Sequence, residues 1–391
     1  MKAGWQVLRL GDVCEFEKSQ GIHAGLPYVG LEDIESQTAR FIGSVEPQGV
    51  KSSTFKFSTQ HVLYGRLRPY LNKVFAPDFD GHCSSEIFPM MPSPALSREY
   101  LLYWLLSADT VERINATCTG ARMPRANMNE VLDFDIPTPP RPEQQRIVTL
   151  LDEAFAGIAT AKANAEKNLQ NARAIFESHL QSVFMQRGDG WTVKRLADVC
   201  QFENGDRGKN YPNRVEYVDS GMPWINTGHI EPDGTLSVQE MNYITQKKYD
   251  SLRSGKIKPG DLVYCLRGAT LGKTAFVSPF TTGAVASSLV IIRPGREIDG
   301  RFLYYFLTSP VGQGFIKHYE NGAAQPNLGA KSVASFKMPL PSLIDQGSIV
   351  RGLDAFAAQV QQLESIYQQK LTALDELKKS LLHRAFTGHL T

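Results

Sequence analysis

The stretch Gly4–Phe16 reads GWQVLRLGDVCEF, and Gly190–Phe202 reads GWTVKRLADVCQF. Trp5, Val7, Arg9, Leu10, Asp12, Val13, Cys14, Phe16 and the following Glu17 recur as Trp191, Val193, Arg195, Leu196, Asp198, Val199, Cys200, Phe202 and Glu203. Agreement this dense means that one module is written twice. The alternation in VLRL and VKRL predicts a strand or strand edge, with the tryptophan packed onto each module.

Following the repeat outward, PYVGLEDIE (Pro27–Glu35) faces PWINTGHIE (Pro223–Glu231), and YGRLRPYLNKV (Tyr64–Val74) faces YCLRGATLGKTAFV (Tyr264–Val277). That second match sets Arg68 beside Arg267 and Lys73 beside Lys273. CSSEIFPMMP (Cys83–Pro92) sits opposite ASSLVIIRP (Ala286–Pro294), and YLLYWLLS (Tyr100–Ser107) opposite FLYYFLTS (Phe302–Ser309). GARMPRANMNEVLDFDIPTPP (Gly120–Pro140) and GAAQPNLGAKSVASFKMPLPS (Gly322–Ser342) close the two halves in register. Short apolar runs between Gly, Pro, Asn and Asp clusters alternate with helical patterns such as SREYLLYWLLSADTVERI, so each half reads as an α+β globule. Spacing drifts mainly in the middle of each half. The shared parts therefore read as scaffold and the divergent loops as the partner-reading surface.

A chain of 391 residues with 42% apolar and 21% charged residues fits two folded domains. MKAGWQVLRLGD lacks the apolar run of an export signal, and no stretch of about 18 apolar residues occurs, so a cytoplasmic location is expected. Cys14, Cys83, Cys118, Cys200 and Cys265 are scattered without a CxxC pair, which predicts buried thiols rather than disulfides or zinc. A net charge of +2 requires any polyanion-binding surface to be local.

Each globule leads into a long helical seam. After IPTPPRPEQQ, with Pro142 suited to a first turn, Ile147, Leu151, Ala154, Ile158, Ala161, Ala165, Leu169, Ala172, Phe176 and Val183 recur at spacings of three, four or seven. After MPLPSLIDQ the stripe runs through Ile349, Leu353, Phe356, Val360, Leu363, Tyr367, Leu371, Leu374, Leu377 and Leu381. Rods of roughly 60 Å with an Ala-rich and a bulkier stripe are expected to pack as an antiparallel coiled coil within the chain; folding back separately onto each globule is the alternative. The expected organisation is a first domain over 1–141, a central helix over 142–187, a second domain over 188–343 and a distal helix over 344–391.

Catalytic patterns fail on inspection. GATLGKT (Gly268–Thr274) has three residues where a phosphate-cradling loop needs four before Gly-Lys, and the repeat copy abandons the pattern. Asp78 and Glu86 begin a nuclease-like carboxylate set, but Glu86-Ile87-Phe88 lacks the lysine such a site wants. No methyltransferase signature, HExxH, HxH or GxSxG is present, so no catalytic residue and no metal ligand is assigned. What remains is a basic and amide repertoire near turns: Arg66, Arg68, Lys73, Arg122, Arg125 and Asn127 in the first half, Arg207, Lys209, Asn210, Arg214, Arg267, Lys273, Gln325 and Asn327 in the second. Arg and Lys neutralise phosphates or grip guanine, and Asn and Gln pair with adenine, so these are candidate DNA contacts.

The repeated GWxVxRLxDVCxFE openings, GDLVYCLRGATLGKTAFV with its weaker copy, GAAQPNL, IPTPPRPEQQRIV and the closing LLHRAFTGHL together resemble the specificity subunits of type I restriction-modification enzymes along essentially the whole chain. The resemblance implies two target-recognition domains, each reading one half of a split, asymmetric duplex DNA site, separated by two helices that set the spacing. It implies partners too: two modification subunits that methylate adenine with S-adenosylmethionine, docked on the outer faces of the helices, and restriction subunits that use ATP and Mg. The chain itself would bind no cofactor and catalyse nothing. A coiled-coil protein adaptor and a self-contained DNA enzyme are the competing classes. An adaptor would show no steep loss of DNA affinity with salt, and an enzyme would methylate or cut DNA unaided.

Overall fold

The computed structural model describes residues 4–17, 20–23, 25–120, 122–186, 188, 190–208, 210–319 and 327–390. The chain divides into two compact units, Met1–Lys167 with Tyr367–Thr391, and Asn168–Ile366.

The duplicated opening forms the same joint in each unit. Strand Gln6–Arg9 pairs antiparallel with Asp135–Thr138, and Thr192–Arg195 pairs antiparallel with Lys337–Leu340. The residues after each first strand, Leu10–Val13 and Leu196–Val199, make one helical turn whose leucine and valine are buried. A four-stranded antiparallel sheet follows. In the first unit its order is Cys14–Phe16, Ile87–Pro92, Val62–Gly65, Val74–Phe75; in the second it is Cys200–Asn204, Leu289–Pro294, Leu262–Cys265, Thr274–Phe276.

Each unit has another four-stranded sheet, and here the copies part. Both keep one parallel pair, Tyr28–Val29 with Gly81–Cys83 and Met222–Ile225 with Ala284–Val285. The first unit extends its sheet from Gly81–Cys83 through Thr54–Phe57 to Gln20–Gly21. The second extends it from the opposite member, Met222–Ile225, through Asn242–Ile244 to Tyr217–Val218. Divergence is thus confined to chain inserted between common strands.

The long helices run over Arg141–Met185 and Leu343–Phe386, and each is shared between the two units. The helical stretch SREYLLYWLLSADTVERI breaks at Ser107 into Arg98–Leu106 and Ala108–Ala116. In the first unit Ile147, Val148, Leu151, Leu382 and Ala385 enter the globular core; in the second, Leu180, Phe184 and Leu353 do so. Between these anchored ends the helices meet each other. Lys162 bonds Asp375 at 2.7 Å within the first unit and Arg173 bonds Glu364 at 2.6 Å within the second, so one helix rises as the other falls. The expected seam residues Ile147, Leu151, Ile158, Leu353 and Val360 are buried, and Leu169, Phe176, Ile349, Phe356, Leu374 and Leu381 are half-buried. The sequence-based stripe errs at Leu363 and Leu377, which are exposed; Glu364 and Lys378 take the inward places. Lys378 reaches Gln37 O at 3.1 Å and lies over the Phe155 ring, so its long stem satisfies a position that a heptad count assigns to leucine.

One glutamine locks each globule to its helix. Gln144, fully buried, accepts from Ser97 N (2.7 Å) and donates to Ala95 O and Pro139 O (both 2.8 Å). Gln346 repeats this with Asp299 N (2.8 Å), Glu297 O and Pro341 O (both 3.0 Å). Tyr103 with Asp152, and Tyr305 with Asp354, add a second matching bond. All five cysteines are free thiols, four of them buried, and burial pushes Cys14 and Cys200 up to about 12.

Candidate nucleic-acid interface

Two segments that lie far apart in sequence meet at the tip of each unit. In the first, the turn after strand Val62–Gly65 is stitched to 124–126 by the Leu67–Arg125 bridge, Arg68 N to Pro124 O (2.7 Å) and Ala126 N to Arg66 O (2.9 Å). In the second, the Arg267–Asn327 bridge and Leu328 N to Leu266 O (2.9 Å) do the same. The bridges correct one sequence alignment: Arg267 corresponds to Leu67, while Arg68 corresponds to Gly268. Backbone conformation agrees. Arg68 and Asn72 have φ of 52° and 43°, and Gly268 and Gly272 have 75° and 85°, so the same two left-handed corners carry side chains in one copy and glycine in the other. Lys73 and Lys273 do correspond, since Gly65 N donates to Lys73 O (2.8 Å) as Cys265 N does to Lys273 O (2.8 Å).

The first tip is organised around a carboxylate. Glu86, with 22% of its side chain exposed, accepts from Arg66 Nε at 2.9 Å and from Arg125 Nε and Nη2 at 2.9 and 2.8 Å. The Arg66 guanidinium lies over the Phe88 ring, 5.3 Å from its centroid. Burial alone would raise the Glu86 pKa, but the hydrogen bonds and charges of Arg125 and Arg66 outweigh it and hold the carboxyl below its ordinary value. Arg68 and Arg122 are exposed, with no side-chain partner among the described residues. Lys73 differs from its expected part, because its ammonium is occupied by Leu31 O (2.6 Å) and Ile34 O (2.8 Å) and so ties down a neighbouring loop. Asn127 caps the helix Met128–Leu132 and bonds Glu130.

At the second tip Arg267, Lys273 and Asn327 are exposed. Arg207 reaches Ser287 O at 3.3 Å, Asn210 bonds Ser251 O at 2.8 Å, and Arg214 begins an exposed turn over Arg214–Glu216. Lys209 and Gln325 lie outside the described residues. A cleft of about 590 Å³ is lined by Asn204, Asp206, Arg207, Arg253 and Lys331 among others. Its buried floor residue Asp206 accepts from Arg253 N at 2.9 Å, which fixes the basic loop. Arg253 and Lys331 were not singled out by sequence; Arg253 lies in the divergent middle of its half, and Lys331, within the short helix Ala330–Ala334, falls opposite the uncharged Asn129 in the repeat. Where the rejected phosphate-loop pattern lies, Gly268–Thr270 is a short turn leading into an antiparallel strand, not into a helix. Among the described residues no three carboxylate, imidazole or thiol groups converge as a metal site, and no helix is long and apolar enough to cross a membrane.

The profile of the type I restriction modification DNA specificity domain matches twice, over residues 2–170 and 188–373. The chain belongs to this family. Its two matches coincide with the two copies of the paired opening strand and tip described above. Among curated members of the family, the type I restriction enzyme EcoDI specificity subunit of Escherichia coli is 28% identical over 46% of this chain and 40% of its own length. The EcoBI specificity subunit of the same species is 23% identical over 71% and 63%, and the MjaIX specificity subunit of Methanocaldococcus jannaschii 25% identical over 77% and 71%. The chain therefore spans 40% and 63% of the two Escherichia coli relatives. Two solved structures share the fold at 21% identity: a chain from a study of complex assembly and conformational transition of the type I R-M system (TM-score 0.84, 100% of this chain and 99% of that one), and the HsdS subunit from Thermoanaerobacter tengcongensis (TM-score 0.63, 100% and 98%).

Proposed function

We propose that this specificity-domain chain is the DNA-reading subunit of a type I restriction-modification complex, each unit contacting one half of a bipartite, asymmetric duplex site. The observation that carries the reading is the pair of tips: one scaffold, built twice, presents two different sets of arginine, lysine and amide groups at the same place. Exposed Arg68, Arg122, Arg267 and Lys273 suit phosphates, and Arg125 and Asn327, in equivalent positions, suit base edges. The chain contributes no catalysis. Methylation of adenine with S-adenosylmethionine belongs to modification subunits, and ATP- and Mg-dependent translocation and cleavage to restriction subunits. Ile175, Leu363, Ile366 and Leu377, exposed on the long helices, offer the modification subunits an apolar footing.

Methylome sequencing of a host expressing this chain with its modification subunits tests the reading, with two unequal half-sites at fixed spacing as the expected result. Affinity of the purified assembly for that site should fall steeply with salt. Methylation without a bipartite motif, or salt-indifferent binding, would reject it. The helices are proposed to set the spacing, so in-phase insertions into both should lengthen the spacer and leave each half-site unchanged.

A further inference from the structure

The two tips differ at three equivalent positions whose side chains meet in the first unit. Arg66, Glu86 and Arg125 of the first unit stand where the second has Leu266, Ser288 and Asn327, as the matching bonds Arg66 N to Glu86 O and Leu266 N to Ser288 O (both 2.9 Å) establish. We propose that Glu86 is a positioning residue that aims the outer edge of the Arg125 guanidinium at a guanine in the first half-site. The inference rests on the DNA-reading function above and adds which contact the first unit makes.

The geometry of the fork carries it. A guanidinium has five N–H groups in one plane. Glu86 occupies the edge formed by Nε and Nη2 of Arg125, and Met123 O takes one Nη1 proton at 3.3 Å. When Met123 O takes the Nη1 proton on the Cδ side, the end edge remains, one proton on each terminal nitrogen, and these two are parallel and lie off the braced edge. That is the donor pair which matches O6 and N7 of guanine. Arg125 is 39% exposed along its side chain, so the braced guanidinium is within reach of a ligand. Bracing matters because an arginine free to rotate loses rotamer entropy on binding, whereas one already bonded on its inner edge arrives oriented. Arg66 fastens the same carboxylate from the other side while stacked on Phe88, so the carboxylate cannot swing with Arg125. Phosphate contacts need no such orientation, and the unbraced Arg68 and Arg122 beside the pair are suited to them.

Selection from a randomised duplex DNA library by the full-length chain, alone and assembled with its modification subunits, provides the test. The wild type should return two half-sites, the first containing a guanine that Arg125→Ala no longer selects. Glu86→Gln and Arg125→Lys should each lower discrimination at that base by on the order of tenfold, with the second half-site unchanged as the internal control for folding. Glu86→Gln should also raise non-specific affinity, because it removes an anion from a DNA-facing surface; a merely damaged fold would lower it. Unchanged base preference in Glu86→Gln, or a uniform loss across all sequences in Arg125→Ala, overturns the assignment. A wild type that selects no sequence at all refutes the DNA-reading function itself, a separate result.

Discussion

Gln144 and Gln346 sit at the first turns of the two long helices without any contact with solvent, and each closes three backbone groups that would otherwise be buried unpaired. Gln144→Leu keeps the volume but orphans Ser97 N, Ala95 O and Pro139 O. We expect it to cost about 3 kcal/mol, read as a shift in the urea midpoint at constant slope. Lys73 and Lys273, though equivalent, should answer differently. Lys73→Ala removes two carbonyl contacts and should destabilise the fold by about 2 kcal/mol with little change in the salt dependence of DNA binding. Lys273→Ala should leave stability within about 0.5 kcal/mol and lower the salt slope by about one. The pH behaviour of the first tip follows from Glu86. Its pKa is depressed in the fold, so the brace is fully present above the ordinary carboxyl value and is lost only as pH falls through the folded-state value; guanine discrimination should stay flat across roughly pH 6 to 9. Lys273 was already a candidate DNA contact in the sequence, but the roles of Gln144, Gln346, Lys73 and Glu86 were not legible there. Glu86 stood out there only as a failed nuclease residue, because the residues that explain it, Arg66 and Arg125, are brought to it by strand pairing and a turn bridge. Arg68 was matched to Arg267 because residue type was compared, whereas the conserved quantity is a left-handed corner.

At the scale of elements, the long helices were readable because apolar residues recur with the helical period, and their starts followed from IPTPPRPEQQ and MPLPSLIDQ. The inward face slipped late in the distal helix, since a leucine at the right spacing and a lysine with a long apolar stem compete for the same groove. Leu353→Ala, at a position with 1% exposure in the core of the second unit, should cost about 2–5 kcal/mol. Leu363→Ala, at 44% exposure, should cost less than about 0.5 kcal/mol in the same unfolding experiment. Equal losses would mean that the seam runs where the heptad count put it. The divergent sheets could not be read in advance, because strands of two to four residues such as Gln20–Gly21 and Tyr217–Val218 carry too little periodicity to announce which neighbour they join.

Across the whole molecule, duplication was the most legible property, and its physical meaning lies in the paired strands at the base of each unit. Arg9 lies opposite Asp135, and Arg195 opposite Lys337. Everything that distinguishes one unit from the other is therefore held between two neighbouring points of a common ladder, as a domain is held when it is inserted into a hairpin. Such a segment is a cassette. Replacing residues 196–336 by residues 10–134 keeps both ladders and both helices and offers Gln346 the backbone groups of Ala95 and Ser97 in place of those of Glu297 and Asp299, so the hybrid should fold and select the first half-site twice. Failure to fold would mean that the inserted segment and its base are not independent. Success would make the recognised sequence a matter of recombination rather than of gradual mutation, with new specificities reached in one exchange and no passage through a misfolded chain.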